Sequence, residues 1–390
     1  MKILYLSTDP KMSLSDTSGY AVHMTELIRA FREMGNEVLP IVTGHKNSAE
    51  GGSPHKRAIR GILPGGTIEL ARTIWDVFSD FKTYLRAQRA LLAFHPNFIY
   101  ERYAVFHQSG IILSKRCRIP IILELNAPIW ERDLHYGHRP RTLARKIEKR
   151  VLMLGDAIVV VSDFLRDYLI NLEIPASKIH VISNAADPNT FNPSIDGNLI
   201  KRKYGIENKV VVGFVGGFAR RQGIYLLLTA APEIIKNNRG IHFLFVGDGS
   251  GRDLYEKYVI ENSLQKYVTF AGSVSYQSIP QYIAAMDITV LPNTANHCSP
   301  IKLFEYMAMA KAIVAPGLDT IEHIITHGQN GFLTTSGDAE SLRNTILYLS
   351  QDRNLRSQVG SNARRTVLEH HTWKKNAERV IQIFLSLSKS

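Results

Sequence analysis

At 390 residues, with 45% apolar and 21% charged side chains, the chain exceeds one ordinary core and is too apolar for disorder, so two domains are expected. Its net charge of +12 asks for an anionic partner or surface, yet no base-reading or interleaved aromatic motif accompanies that charge, which argues against nucleic acid. No apolar run reaches the roughly 18 residues of a membrane span, no signal h-region fits before Asp9, and Cys117 and Cys298 make no zinc-ligand or disulfide spacing; a cytoplasmic protein without a metal is expected.

The first half alternates short β-branched runs with amphipathic ones, the pattern of a parallel sheet covered by helices. Expected strands are Lys2–Ser7, Glu37–Val42, Asn97–Tyr100, Ile119–Leu125, Ala157–Val161 and Lys178–Ile182. The loop Asp16–Gly19 joins the first strand to a helix over Gly19–Met34. That helix lines up Ala21, Met24, Leu27, Ile28 and Phe31 on one face and stops at Gly35. Its start at Gly19 sits at a strand's carboxyl end, where a helix N-terminus meets phosphate. Gly51–Gly66, rich in glycine with two prolines, reads as a loop. The densest basic run, Arg139–Arg150, sets six cations against the single acid Glu148, with smaller clusters at Lys56-Arg57 and Lys115–Arg118. It fits either a solvated helix face or a patch for anionic lipid head groups or a diphosphate-bearing acceptor.

Turn formers crowd into NAADPNTFNP at 184–193, which marks a hinge between domains. The alternation then restarts with strands VVVGFVG, HFLFVG, YVTFAG, DITVLP and AIVAP, and ends on an amphipathic helix, Trp373–Leu387, that fits either half. Two doubly wound α/β halves follow, with strand carboxyl ends facing a shared central cleft.

Three glycine turns and one loop in the second half carry chemistry. VVGFVGGFARRQG ends a strand at Gly216-Gly217, leaving room for a phosphate, while Arg220 and Arg221 supply charge; strand-to-helix packing alone is the other reading. The spacing is not G-x-G-x-x-G, which disfavours a dinucleotide cofactor. Gly247-Asp248-Gly249 closes the next strand, and with Val274 in the loop Gly272–Ser275 it either forms the floor of a nucleotide site or simply turns the chain. In PNTANHCSPIKLFEYMAMAKAIVAP, 292–316, a polar loop runs into a helix that starts at Pro300. Backbone N–H groups of Ser299, Pro300's helix start and Ile301, with Lys302 in the first turn, form an anion site. Glu305, one turn on, offers a carboxylate for sugar hydroxyls. A phosphate beside hydroxyls describes a nucleotide.

The Gly19 loop and first helix, IYERY at 99–103, IPIILELNAP at 119–128, DAIVVVS at 156–162, NAADPNTFNP, VGGFARRQG, LFVGDGSG and SPIKLFEYMAMAKAIVAP together resemble the family-4 retaining glycosyltransferases of the GT-B fold, in order and spacing, over nearly the whole chain. The resemblance implies two Rossmann-like domains: residues 1–185 with 372–390, which bind the acceptor, and 186–371, which bind a nucleotide-sugar donor. The last helix would cross back to the first domain. It implies donor contacts at Gly19, Gly216, Gly217, Gly247, Val274, Ser299, Pro300, Ile301 and Glu305, the last on the ribose.

Three departures qualify the match. The family's acidic motif, Glu, seven residues, Glu, falls on His297 and Glu305, so the position that usually holds the transferred sugar is a histidine; it also fits a plain polar loop residue. Where the family commonly places a histidine near the reacting carbon stands Asn126, which orients hydroxyls but is no acid or base. Glu124, on the same strand face, is either an acceptor contact or part of a strand-end network. The family's basic pair is replaced by Gly217 and Gln222, leaving Arg220, Arg221 and Lys302 to neutralise the diphosphate. The Ser-Pro-x-Lys sequence resembles members that build surface polysaccharides. The expected activity is therefore retaining, metal-independent sugar transfer from a nucleoside diphosphate, UDP before GDP, to a hydroxyl of a glycan or lipid-linked acceptor. Lys302, Arg220, Arg221, Asn126 and His297 would do the work, and an anionic membrane surface is a candidate partner. A nucleotide-sugar epimerase and a catalytically degenerate sugar-nucleotide-binding protein are the alternatives.

Overall fold

A computed structural model describes residues 1–10, 12–16, 18–44, 65–129 and 141–388, with the backbone alone for 65–72 and 141. Residues 45–64 and 130–140 lie outside it, and with them most of the loop expected at Gly51–Gly66 and the beginning of the basic run at Arg139. Two compact units divide the chain: Met1–Ser183 with Asn376–Ser390, and Asn184–Lys375.

The first unit is built on a six-stranded parallel sheet: β1 (Lys2–Ser7), β2 (Glu37–Val42), β3 (Phe98–Arg102), β4 (Ile121–Leu125), β5 (Ala157–Val160) and β6 (Ile179–Val181). Their order is β2-β1-β3-β4-β5-β6. Strand β4 begins after Pro120, whose carbonyl still accepts from Ile99 but whose ring nitrogen has no hydrogen for the ladder, so the strand is two residues shorter than its sequence suggests. Conversely β3 continues past Tyr100 into Glu101 and Arg102, because both charges are buried inside the unit. Helix Gly19–Glu33 buries the expected stripe of Ala21, Met24, Leu27, Ile28 and Phe31, and Gly35 ends it at φ 79°. Gly65 and Gly66 belong to a 30-residue helix, Gly65–Phe94, not to a loop. Helix Trp373–Leu387 passes from the second unit into the first, where Asn376 Nδ2 donates to the Ser183 carbonyl at 2.7 Å and Phe384 stacks on Phe98 at 4.6 Å.

The second unit holds β7 (Val210–Val215), β8 (Ile241–Val246), β9 (Val268–Gly272), β10 (Ile288–Val290), β11 (Ala312–Pro316) and β12 (Phe332–Thr334), again all parallel. The order is β12-β11-β10-β7-β8-β9. Successive residues of β7 and β8 bury on opposite faces, Val211, Val215, Leu244 and Val246 in one cluster and Val212, Phe214, Phe243 and Phe245 in the other. A sheet covered on both sides needs such continuous apolar strands. The chain reverses its direction across the sheet between β7 and β10, the kind of switch point at which open α/β sheets take ligands beyond their strands' carboxyl ends.

Candidate functional site

The loops expected to hold phosphate meet at that switch point. β7 ends at Gly216, whose φ of 142° and surroundings admit only glycine: a Cβ there would lie 2.4 Å from Lys302 Nζ. Gly247, after β8, is equally constrained, since a Cβ would sit 2.0 Å from the Gly216 carbonyl oxygen. Backbone bonds from Gly216 to Val246, Phe218 to Asp248 and Gly247 to Gly272 knit the three loops into one surface. Gly217 is exposed and open on its Cα side, with nothing nearer than the Asp248 carbonyl at 3.9 Å.

Helix Ile301–Ala308 delivers Lys302 to this surface. Pro300 is its N-cap, one residue before the first helical position, and contributes no side-chain cap, so the leading N–H groups rely on something outside the helix. Tyr306 ties the helix to the strand by accepting from the Val215 N–H at 2.8 Å. Lys302 Nζ donates to Gln222 Oε1 at 2.8 Å and lies 4.1 Å from the centre of the Phe214 ring. Burial pushes its ammonium down to about 7; Glu305 opposes that shift and the charge of Arg221 adds to it. Arg220 and Arg221 form one exposed turn with Gln222, the charge of Arg220 being felt at Tyr255. Glu305 is buried one turn along from Lys302, with the Tyr276 hydroxyl donating to its Oε1 at 3.1 Å; Val274 lines the same loop as Tyr276.

The loop before the helix is pinned at Ser299, whose hydroxyl oxygen accepts from the Asn184 N–H at 2.9 Å and whose carbonyl accepts from the Asn184 amide at 2.5 Å. His297 is buried, its Nε2 3.4 Å from the Cys298 sulfur. Among the described residues no group of three His, Cys, Asp or Glu side chains is placed to hold a metal ion.

In the first unit, Gly19 opens its helix with Ser18 as an N-cap that makes no side-chain cap bond. At the end of β4, Glu124 is fully buried and its carboxylate is shared among four side chains. His23 Nε2 and the Tyr100 hydroxyl reach Oε2 at 2.8 and 2.6 Å, while Arg102 at 2.5 Å and the Asn126 amide reach Oε1. Burial alone would raise its pKa, but His23 and Arg102 hold the carboxyl well below the usual range. Of the two readings given for Glu124, an acceptor contact or part of a strand-end network, the structure shows the network, with Glu124 as its hub. Its bond to Nδ2 fixes the Asn126 amide and turns Oδ1 away from the hub.

The structure therefore brings Gly216, Gly247, Lys302 and Glu305 together, with Arg221 coupled by charge, and holds Ser299 from behind. Gln222, Phe214, Tyr276, Asn184 and, in the first unit, His23 and Arg102 went unrecognised in the sequence. Gln222 had a signal: it stands where the resemblance expects a lysine, and here it receives one from the neighbouring helix.

Two family descriptions match the chain: "Glycosyltransferase Family 4" over residues 17–190 and "Glycosyl transferases group 1" over residues 209–352. Alpha-D-kanosaminyltransferase of Streptomyces kanamyceticus is 22% identical over 263 residues, 65% of this chain and 67% of that protein. An uncharacterized glycosyltransferase of Methanocaldococcus jannaschii is 22% identical over 398 residues, 100% of this chain and 99% of that one. Among solved structures, Anabaena HepE in complex with UDP superimposes with a TM-score of 0.75 at 19% identity, covering 99% of this chain and 100% of the other. The architecture is that of GT-B glycosyltransferases.

Proposed function

The chain carries the two domains of a family-4 glycosyltransferase of the GT-B fold, and from that premise we propose that it moves a sugar from a nucleoside diphosphate, UDP before GDP, to a hydroxyl of a glycan or lipid-linked acceptor. The transfer retains the anomeric configuration and proceeds without a metal. One observation carries this reading: Lys302 is seated at the Gly216 turn, at the start of a helix, on the switch point of the second sheet. A lysine brought into a partly desolvated loop, without a carboxylate bonded to its ammonium among the described residues, is arranged for an anion that arrives from outside.

In this reading the diphosphate lies across the Gly216 and Gly247 turns. Lys302, the first N–H groups of helix Ile301–Ala308 and the exposed Arg220–Arg221 turn stabilise its charge as the glycosidic bond breaks. Glu305, braced by Tyr276, accepts from ribose hydroxyls. His297 contacts the transferred sugar; an imidazole offers one donor and one acceptor where a carboxylate offers two acceptors, so donor preference differs from that of members with glutamate there. Asn126, its amide oriented by Glu124, presents Oδ1 to a hydroxyl. No side chain is required as general base, because the departing phosphate takes the acceptor's proton.

The test is a screen of isotope-labelled nucleotide sugars against glycan and lipid-extract acceptors, with the anomer of the product assigned by NMR. Labelled product of retained configuration, formed faster with UDP-sugars than GDP-sugars, is expected. Conversion of donor without acceptor would replace the reading with epimerisation, and binding with no turnover would replace it with a non-catalytic role.

A further inference from the structure

Away from the nucleotide site, large exposed apolar side chains concentrate on one element. On helix Gly65–Phe94, Ile74, Trp75, Val77, Phe78, Phe81 and Leu85 all face solvent, Trp75 at 61% and Phe81 at 55% exposure. A helix packed on a domain normally turns such residues inward. Here the inward face holds Asp76, Asp80, Thr83, Ala87 and Leu91. Asp80 is committed there, accepting from the N–H groups of Gln108 and Ser109 at the start of helix Ser109–Cys117. Both acids between residues 73 and 94 are thus buried, and the exposed charges of that stretch are Lys82, Arg86 and Arg89, all positive. Lys82 Nζ lies 4.5 Å from the centre of the Phe78 ring. From the neighbouring helix, exposed Arg116 donates to the Tyr84 hydroxyl at 2.7 Å, which adds a further cation to the rim.

We propose that this face docks the protein on an anionic lipid surface. Tryptophan and phenylalanine enter the boundary between head groups and acyl chains, while lysine and arginine lay their stems along the apolar surface and reach phosphates. No helix among the described residues is long and apolar enough to cross a membrane, so the contact is a docking and not a span. Charge complementarity selects lipid over a second copy of this chain. Two-fold pairing of the face would set Lys82 and Arg86 against the same cations of the other copy with no exposed acid between residues 73 and 94 to offset them. The inference holds whatever sugar is transferred.

The experiment is co-sedimentation of the full chain with phosphatidylcholine vesicles, with and without phosphatidylglycerol, alongside Trp75 fluorescence. Binding is expected to need phosphatidylglycerol and to shift emission to the blue, a shift that Trp75→Phe abolishes. Phe78→Glu with Phe81→Glu should weaken binding at least about tenfold, and Lys82→Ala or Arg86→Ala about fivefold each. These side chains are exposed, so the variants keep the wild-type unfolding midpoint. Wild-type protein that ignores phosphatidylglycerol, or variants that bind like wild type, would overturn the proposal. A concentration-dependent dimer broken by Phe78→Glu, without vesicle binding, would assign the face to a second copy.

Discussion

At the residue scale, Lys302 has a consequence for pH. Desolvation holds its ammonium at about 7, whereas a diphosphate beside it would raise that value. Below about pH 7 the group is already charged and donor affinity is insensitive to pH on its account. Above it, binding must draw a proton from solution, so affinity falls by up to about tenfold per pH unit until the bound-state pKa is reached. Titration of a UDP-sugar by calorimetry between about pH 7 and 9, in buffers of differing ionisation enthalpy, should show that fall together with proton uptake. A flat profile would mean that Lys302 does not face the phosphates. Its partner residue on the helix, Glu305, was readable from the three-residue spacing, because neighbours on one helix face are fixed by local geometry. The contact with Gln222 was not, since it lies 80 residues from Lys302 and only the folded sheet brings them together.

At the element scale, the site depends on a turn and a helix that approach too closely for any side chain at residue 216. Gly216→Ala forces a Cβ onto the Lys302 ammonium and places alanine at a φ of 142°. We expect a stability loss of about 1–3 kcal/mol from the backbone alone. Donor affinity should fall at least about tenfold because the lysine is displaced. Thermal unfolding and donor titration on the same preparation separate the two, and an alanine variant that binds donor normally would contradict the geometry. Much of this element-level layout was legible, since β7 and β8 are continuous apolar runs cut by glycine and the Gly19–Glu33 stripe repeats at helical spacing. What escaped was buried charge. Glu101 and Arg102 read as lying beyond a strand's end, and Glu124 was left open between a ligand contact and a strand-end network, because a sequence does not show which carboxylates the fold encloses. Helix Gly65–Phe94 escaped for the opposite reason: between residues 73 and 85 its large apolar residues face outward while Asp76 and Asp80 are buried, so the apolar stripe there marks the wrong side.

At the scale of the whole molecule, two parallel sheets of six strands, each with one reversal of strand order, account for the repeated alternation of the sequence and for where its glycine turns fall. The proposed readings give the net charge of +12 two uses, a diphosphate site around Lys302 and Arg221 and a basic apolar helix face on the other unit. The first use is the centre of the account, and Lys302→Met tests it most directly. The turnover number for sugar transfer is measured for this variant and for wild type, with the unfolding midpoint as a control. The account predicts turnover reduced about 100- to 1000-fold, with the midpoint unchanged or raised, because a desolvated cation has been replaced by an apolar side chain of similar length. Transfer at the wild-type rate would contradict it.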